Sequence, residues 1–99
     1  MNYLQQDALK KLYEASIDAS VAQKMSQREL EKAQAELDKW TRRYKLALDA
    51  NREDLIPHAR YQKQHFEEIV SRFQNIVHGQ SLQLDRIKSN FIENDFSAF

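Results

Sequence analysis

Apolar residues return every three and four positions along almost the whole chain, with one interruption. From Leu4 to Leu48 no residue breaks a helix, and one series runs Leu9, Leu12, Ser16, Ala19, Gln23, Ser26, Leu30, Ala33, Leu37, Trp40, Tyr44, Ala47. This is the a/d spacing of a heptad, interrupted by polar residues only at Ser16, Gln23 and Ser26. A second series runs Ile56, Ala59, Lys63, Phe66, Val70, Phe73, Val77, Gln80, Leu84, Ile87, Phe91, Asn94. Between them lies ANREDLIP, the only candidate turn. The pattern predicts an all-α fold, a long antiparallel two-helix coiled-coil hairpin with its bend near residues 50–54. Helix 1 is expected over about residues 3–50 and helix 2 over about 54–94, with a tail at 95–99, in a single domain.

The two series test each other. If the chain folds back about the middle of Asn51–Arg52, Leu37 meets Phe66, Ala33 meets Val70, Leu30 meets Phe73, Ala19 meets Leu84 and Leu12 meets Phe91. Small faces large at Ser16/Ile87, Ser26/Val77 and Tyr44/Ala59, which lets two helices interlock closely. Gln23 falls opposite Gln80, an amide pair that costs stability but penalises slipped registers. Two helices share one mutual seam, and helix 2 carries more apolar surface than that seam uses. Ile69 and Ile76 lie beside Val70 and Val77; they either complete the flank of the core or contact another subunit. At the bend, a helix starting from Asn51 would hold Pro57 in its interior. Capping by Asp54 instead puts Pro57 in the first turn, where its missing N–H costs nothing.

Composition narrows the class. The 99 residues include one glycine and one proline, too few for the turns of an all-β or βαβ plan. Charged residues are 30% and hydrophobics 41% of the chain, a long-helix balance. Net charge is zero, so no global field argues for nucleic acid or acidic substrates, and nucleic acid is not expected as a partner. Without cysteine there is no disulfide framework and no thiol chemistry. No run approaches the roughly 18 apolar residues of a spanning helix, and no signal-peptide pattern opens the chain. A soluble protein in a cytoplasm-like compartment is expected.

Candidate chemistry is sparse. His58, His65 and His78 form no HExxH motif, and His65 with Glu68 is a spacing common by chance, so all three read as solvated. With one glycine there is no phosphate-cradling loop, and no enzyme, metal site or cofactor is expected. Lys39, Arg42, Arg43, Lys45 and Arg52 cluster near the bend. They read either as a solvated face, with Asp38–Arg42 and Glu36–Lys39 pairing along the helix, or as a contact for lipid headgroups or an acidic protein patch. Trp40 holds a seam position opposite Lys63. Its ring is expected under the lysine stem, with part of the indole open to a partner. The end NFIENDFSAF is expected to close the open end near Phe91 against Leu4, Ala8 and Leu9, and to fray beyond Asp95.

Around the bend, KWTRRYKLALDANREDLIPHARYQKQ resembles the hairpin of the phage shock protein A family, which includes the vesicle-inducing proteins of plastids. Trp40, Ala47, Leu48, Glu53, Asp54, Leu55, Ala59 and Lys63 fit the family pattern without a gap. The resemblance covers roughly residues 4–90, and residues 37–66 carry its specific part. Ile56-Pro57 stands where the family has Ala-Arg, and Asn51 where it commonly has a tip glycine. Family members also carry an amphipathic membrane-binding helix ahead of the hairpin and further helices behind it. The 99 residues hold the hairpin portion, as expected of a shortened member or an excised hairpin. The family is similar to the ESCRT-III membrane-remodelling proteins, assembling into rings and rods on stressed or thylakoid membranes. Some members hold a AAA+ transcriptional activator inactive.

The resemblance implies a non-enzymatic membrane-stress (phage shock response) or membrane-remodelling scaffold module acting by self-association and protein contact. The expected partners are further copies of the chain in a homo-oligomer, a AAA+ ATPase and an anionic membrane surface. The location implied is cytoplasmic or peripheral at the inner or thylakoid membrane. Expected contact residues are Trp40, Arg42, Arg43, Lys45, Arg52, Ile69 and Ile76. A regulatory module inhibiting a AAA+ activator and a generic structural coiled coil are the alternatives.

Overall fold

The structure, a computed structural model, describes residues 3–97, with side chains described as far as Glu93. It is all-α: helix α1 runs Tyr3–Asp49 and helix α2 runs Ile56–Ser97, and together they form a helical hairpin. The chain divides into two compact units. One holds Ser26–Ile76 and contains the bend; the other pairs Met1–Met25 with Val77–Phe99.

In the bend unit, every expected seam position is buried or half-buried, from Ser26 to Ala47 on α1 and from Ile56 to Phe73 on α2. Ala33, Ala47, Ala59 and Val70 form its buried core. Three of these four are alanines, which brings the two backbones close and leaves the large neighbours to fill the edges. Tyr44, expected opposite Ala59, has the guanidinium of Arg60 and the ammonium of Lys63 over its ring, 5.8 and 5.9 Å from the centroid.

The bend is built by backbone hydrogen bonds. Asn51 adopts a left-handed φ of 52°, its N–H donates to the Leu48 carbonyl, and the Arg52 N–H donates to the Ala47 carbonyl at 2.9 Å. This is a Schellman ending, in which a left-handed residue lets the chain turn back onto the last helical carbonyls. Asparagine tolerates the conformation; a β-branched residue does not. Asn51→Val should therefore cost about 1–2 kcal/mol in urea unfolding, whereas Asn51→Gly leaves stability equal or higher.

Helix α2 begins later than an Asp54 cap would place it. The Asp54 carboxylate accepts two guanidinium N–H groups of Arg52, at 3.0 and 2.9 Å. The Arg52 carbonyl accepts from Leu55 and, in an i→i−4 bond at 3.0 Å, from Ile56, and the Ala59 N–H donates to the Leu55 carbonyl at 3.1 Å. Pro57 still falls in the first turn, where its missing N–H leaves nothing unsatisfied.

In the other unit, the expected seam from Leu9 to Gln23 and from Val77 to Phe91 is again buried or half-buried, with Leu84 the most enclosed. The amide pair does not form as expected. The Gln23 amide donates to Ser81 Oγ, and the Gln80 carbonyl oxygen is buried without a hydrogen-bond partner among the described residues. Helix α2 continues to Ser97, since nothing after Phe91 breaks a helix. Phe91 is half-buried and Leu4 is exposed; α2 runs three residues past its expected end at residue 94, into the expected tail, and the side chains beyond Glu93 lie outside the described residues.

Candidate functional site

Of the residues singled out in the sequence, Trp40, Arg43 and Arg52 line one cleft beside the bend. Leu46, Ala47, Ala50, Leu55, His58 and Ala59 complete its wall. Trp40 reaches it because the residues that follow at d and g heptad positions, Arg43, Ala47 and Ala50, continue the same side of α1 to the bend. Arg52 and Leu55 of the turn close the far end. The cleft holds about 370 Å³, toward the small end of the sizes known for ligand sites, and its lining is almost wholly apolar.

Trp40 is half-buried, and its covering differs from the expected one. Lys63, opposite it in the seam register, forms an ion pair with Glu67 along α2. The indole instead carries the Arg43 guanidinium at 4.8 Å and the Lys39 ammonium at 5.7 Å, with the His58 ring edge-on at 5.3 Å. A planar guanidinium stacks on an indole face more favourably than a lysine stem covers it. Glu36 anchors this arrangement through its ion pair with Lys39 at 2.9 Å. The hydrogen bond from Lys39 holds the Glu36 carboxyl below its usual value, and the Trp40 indole N–H and Arg43 act in the same direction.

The remaining cations are arranged more simply. Arg42 and Lys45 are exposed on α1 and do not line the cleft. The expected Asp38–Arg42 pair is not formed; Asp38 accepts the Gln34 amide at 3.0 Å. Arg52 spends its guanidinium on Asp54, whose carboxyl is held below its usual value by that bond. The apex therefore presents Asp49, Glu53 and Asp54 against a single arginine, an acidic end to a basic flank. Ile69 and Ile76 lie elsewhere in the same unit; Ile69 is half-buried and Ile76 is open, at 38% exposure. Gln23 and Gln80 belong to the other unit.

All three histidines are exposed; His65 stacks parallel on Tyr61 at 6.3 Å, and His58 edges Trp40. No group of three metal-ligating side chains occurs among the described residues, and none of their helices is long and apolar enough to cross a membrane. Sequence reasoning passed over Leu46, took Leu55 only as part of the family pattern and read His58 as a solvated histidine. Leu46 and Leu55 are apolar residues off the seam, 66% and 47% exposed, and that mismatch with the heptad was the available signal. Compared with the models of known protein families and with curated proteins, the chain matches none.

Proposed function

We propose that the chain is a non-enzymatic helical-hairpin module of a membrane-stress or membrane-remodelling scaffold, acting by self-association and protein contact. One observation carries the reading. Among the described residues, five hydrophobic side chains are buried while thirteen large ones stand exposed. Two helices offer each other a single seam, and long helices depend on tertiary packing more than on intrinsic propensity. Apolar surface in that excess is covered by association. The resemblance of residues 37–66 to the phage shock protein A hairpin supports the scaffold assignment. The acidic apex argues that any contact with an anionic membrane comes from the Arg42, Arg43 and Lys45 flank and not from the tip itself.

Sedimentation across a concentration series tests the association. The chain should exceed monomer mass, and Ile69→Asp with Ile76→Asp should lower that mass while the helical circular dichroism signal holds. An unchanged mass in the double variant would remove this flank as the contact. Flotation with anionic and neutral liposomes at low and high salt separates the two partner classes: salt-sensitive recovery with anionic vesicles alone assigns lipid contact to the basic flank. A second reading, inhibition of a AAA+ ATPase through the Trp40 cleft, rests on the half-open indole. It fails if adding the chain leaves hydrolysis by that ATPase unchanged.

A further inference from the structure

No acid lines the cleft beside the bend. Its ionisable lining residues are Arg43, Arg52 and His58, and the rest of its wall is Trp40 with leucines and alanines. Arg52 is neutralised by its two hydrogen bonds to Asp54. Arg43 and His58 are not: neither side chain makes a hydrogen bond or an ion pair among the described residues, and each rests against the Trp40 ring. A guanidinium that stacks through its flat face keeps its N–H donors free at the edge. Two basic groups with unused donors therefore stand together at the Trp40 end of the cleft. Toward the bend the wall is Leu46, Ala50 and Leu55, and both leucines are exposed.

We propose that the cleft binds a free single-chain carboxylate, a fatty acid of medium length, with its carboxylate at Arg43 and His58 and its tail toward Leu46 and Leu55. Charge complementarity selects the head. An anion there meets two unused donors and no lining acid. The wall selects the tail, since an aliphatic chain covers the leucines and alanines that a small polar anion such as phosphate leaves wet. About 370 Å³ suits one short chain. The direction of the chain follows from the helix ends. Asp49 closes α1 beside the bend, where the carbonyl end of a helix disfavours negative charge, whereas His58 lies in the first turn of α2, where the helix favours it. A bilayer fits less well, because the acidic apex of Asp49, Glu53 and Asp54 would meet its anionic headgroups. Binding of this kind needs one copy of the chain and is independent of self-association.

Titration of the full chain with decanoate, kept below its micellar concentration, tests the proposal, with Trp40 as the single tryptophan reporter. Decanoate should bind one to one and about threefold to tenfold more tightly than decanol, which has the same chain without the charge. Decyltrimethylammonium should bind more weakly than either. Arg43→Gln should bring decanoate down to the decanol level, and Arg43→Lys should keep most of the difference. Leu55→Ser should weaken both ligands by about threefold or more. Arg43 and Leu55 are exposed, so these variants keep the fold, which circular dichroism confirms. Decanoate brominated beside the carboxylate should quench Trp40 more than decanoate brominated at the chain end.

Equal binding of decanoate and decanol, an Arg43→Gln protein that still separates them, or stronger quenching from the chain end overturns the proposal. So does binding that begins only where micelles form. A Trp40 emission shift with protein concentration alone, in a chain that then ignores decanoate, gives the cleft to a second copy and overturns it. A shift on phosphatidylglycerol vesicles in a chain that ignores decanoate gives it to the bilayer, with the same result. Sedimentation of the same samples keeps the two readings apart. A chain that binds decanoate and stays monomeric at every concentration loses the self-association reading alone. One that associates and binds no decanoate loses only the proposal made here.

Discussion

Val70→Asp should abolish the fold at micromolar concentration, with most of the helical circular dichroism signal lost at 25 °C. Val70 is 6% exposed in the bend unit, and its register partner Ala33 is 5% exposed, so neither water nor a polar neighbour is at hand for a carboxylate. Leaving a charge unpaired in such a place costs several kcal/mol, about 3 or more, whichever protonation state it settles in. A hairpin with four buried residues in that unit has little reserve against such a loss. The next residue supplies the control. Ser71 is exposed, and Ser71→Asp should move the urea midpoint by no more than about 0.5 kcal/mol. A helical Val70→Asp protein would mean that α1 and α2 do not depend on the Ala33–Val70 layer.

Gln80→Leu should act in the opposite direction, raising stability by about 1–3 kcal/mol in urea or thermal unfolding at fixed protein concentration. The Gln80 carbonyl oxygen is shut away from solvent with no partner among the described residues, and Gln23 is satisfied by Ser81 without it. Replacing the amide by leucine removes an unmet acceptor and adds apolar surface to the seam. The expected cost is in uniqueness: a polar residue inside a coiled-coil seam restricts register, and its loss admits slipped pairings. A variant that is more stable but gives broadened amide resonances would show both effects. A fall in stability would mean that Gln80 is held by a contact worth more than its buried oxygen costs.

The hairpin was legible because one physical signal, the 3.5-residue return of apolar positions, runs through both helices and reverses at a single place. The seam positions of both units, among the described residues, are those the two series name. Details at the bend were not legible, since they depend on which of several competing partners a side chain takes. Asp54 is a good cap by residue type, but Arg52 two positions away binds it with two hydrogen bonds. Asn51 reads as the start of a helix as easily as the end of one; its left-handed φ settles that it ends α1. Lys63 was placed over Trp40 by register alone, yet Glu67 four residues on claims its ammonium. The cleft is half visible in the sequence: Trp40 and Arg43 stand out, but Leu46 carries no signal on the seam and Leu55 enters only through the family pattern.

The uneven placement of buried residues also bears on how the chain reaches its fold. Four of the five lie in the bend unit, and Ala47 and Ala59 among them are separated by only the short connection. Closing a short loop costs little entropy, so contacts next to the bend form earliest, and each added layer then closes only a little more chain. Pairing therefore proceeds zipper-fashion from Asn51 outward, and the strands of sequence farthest from it join last and separate first. Opening of this kind frees the parts of both helices farthest from Asn51 while the bend stays paired.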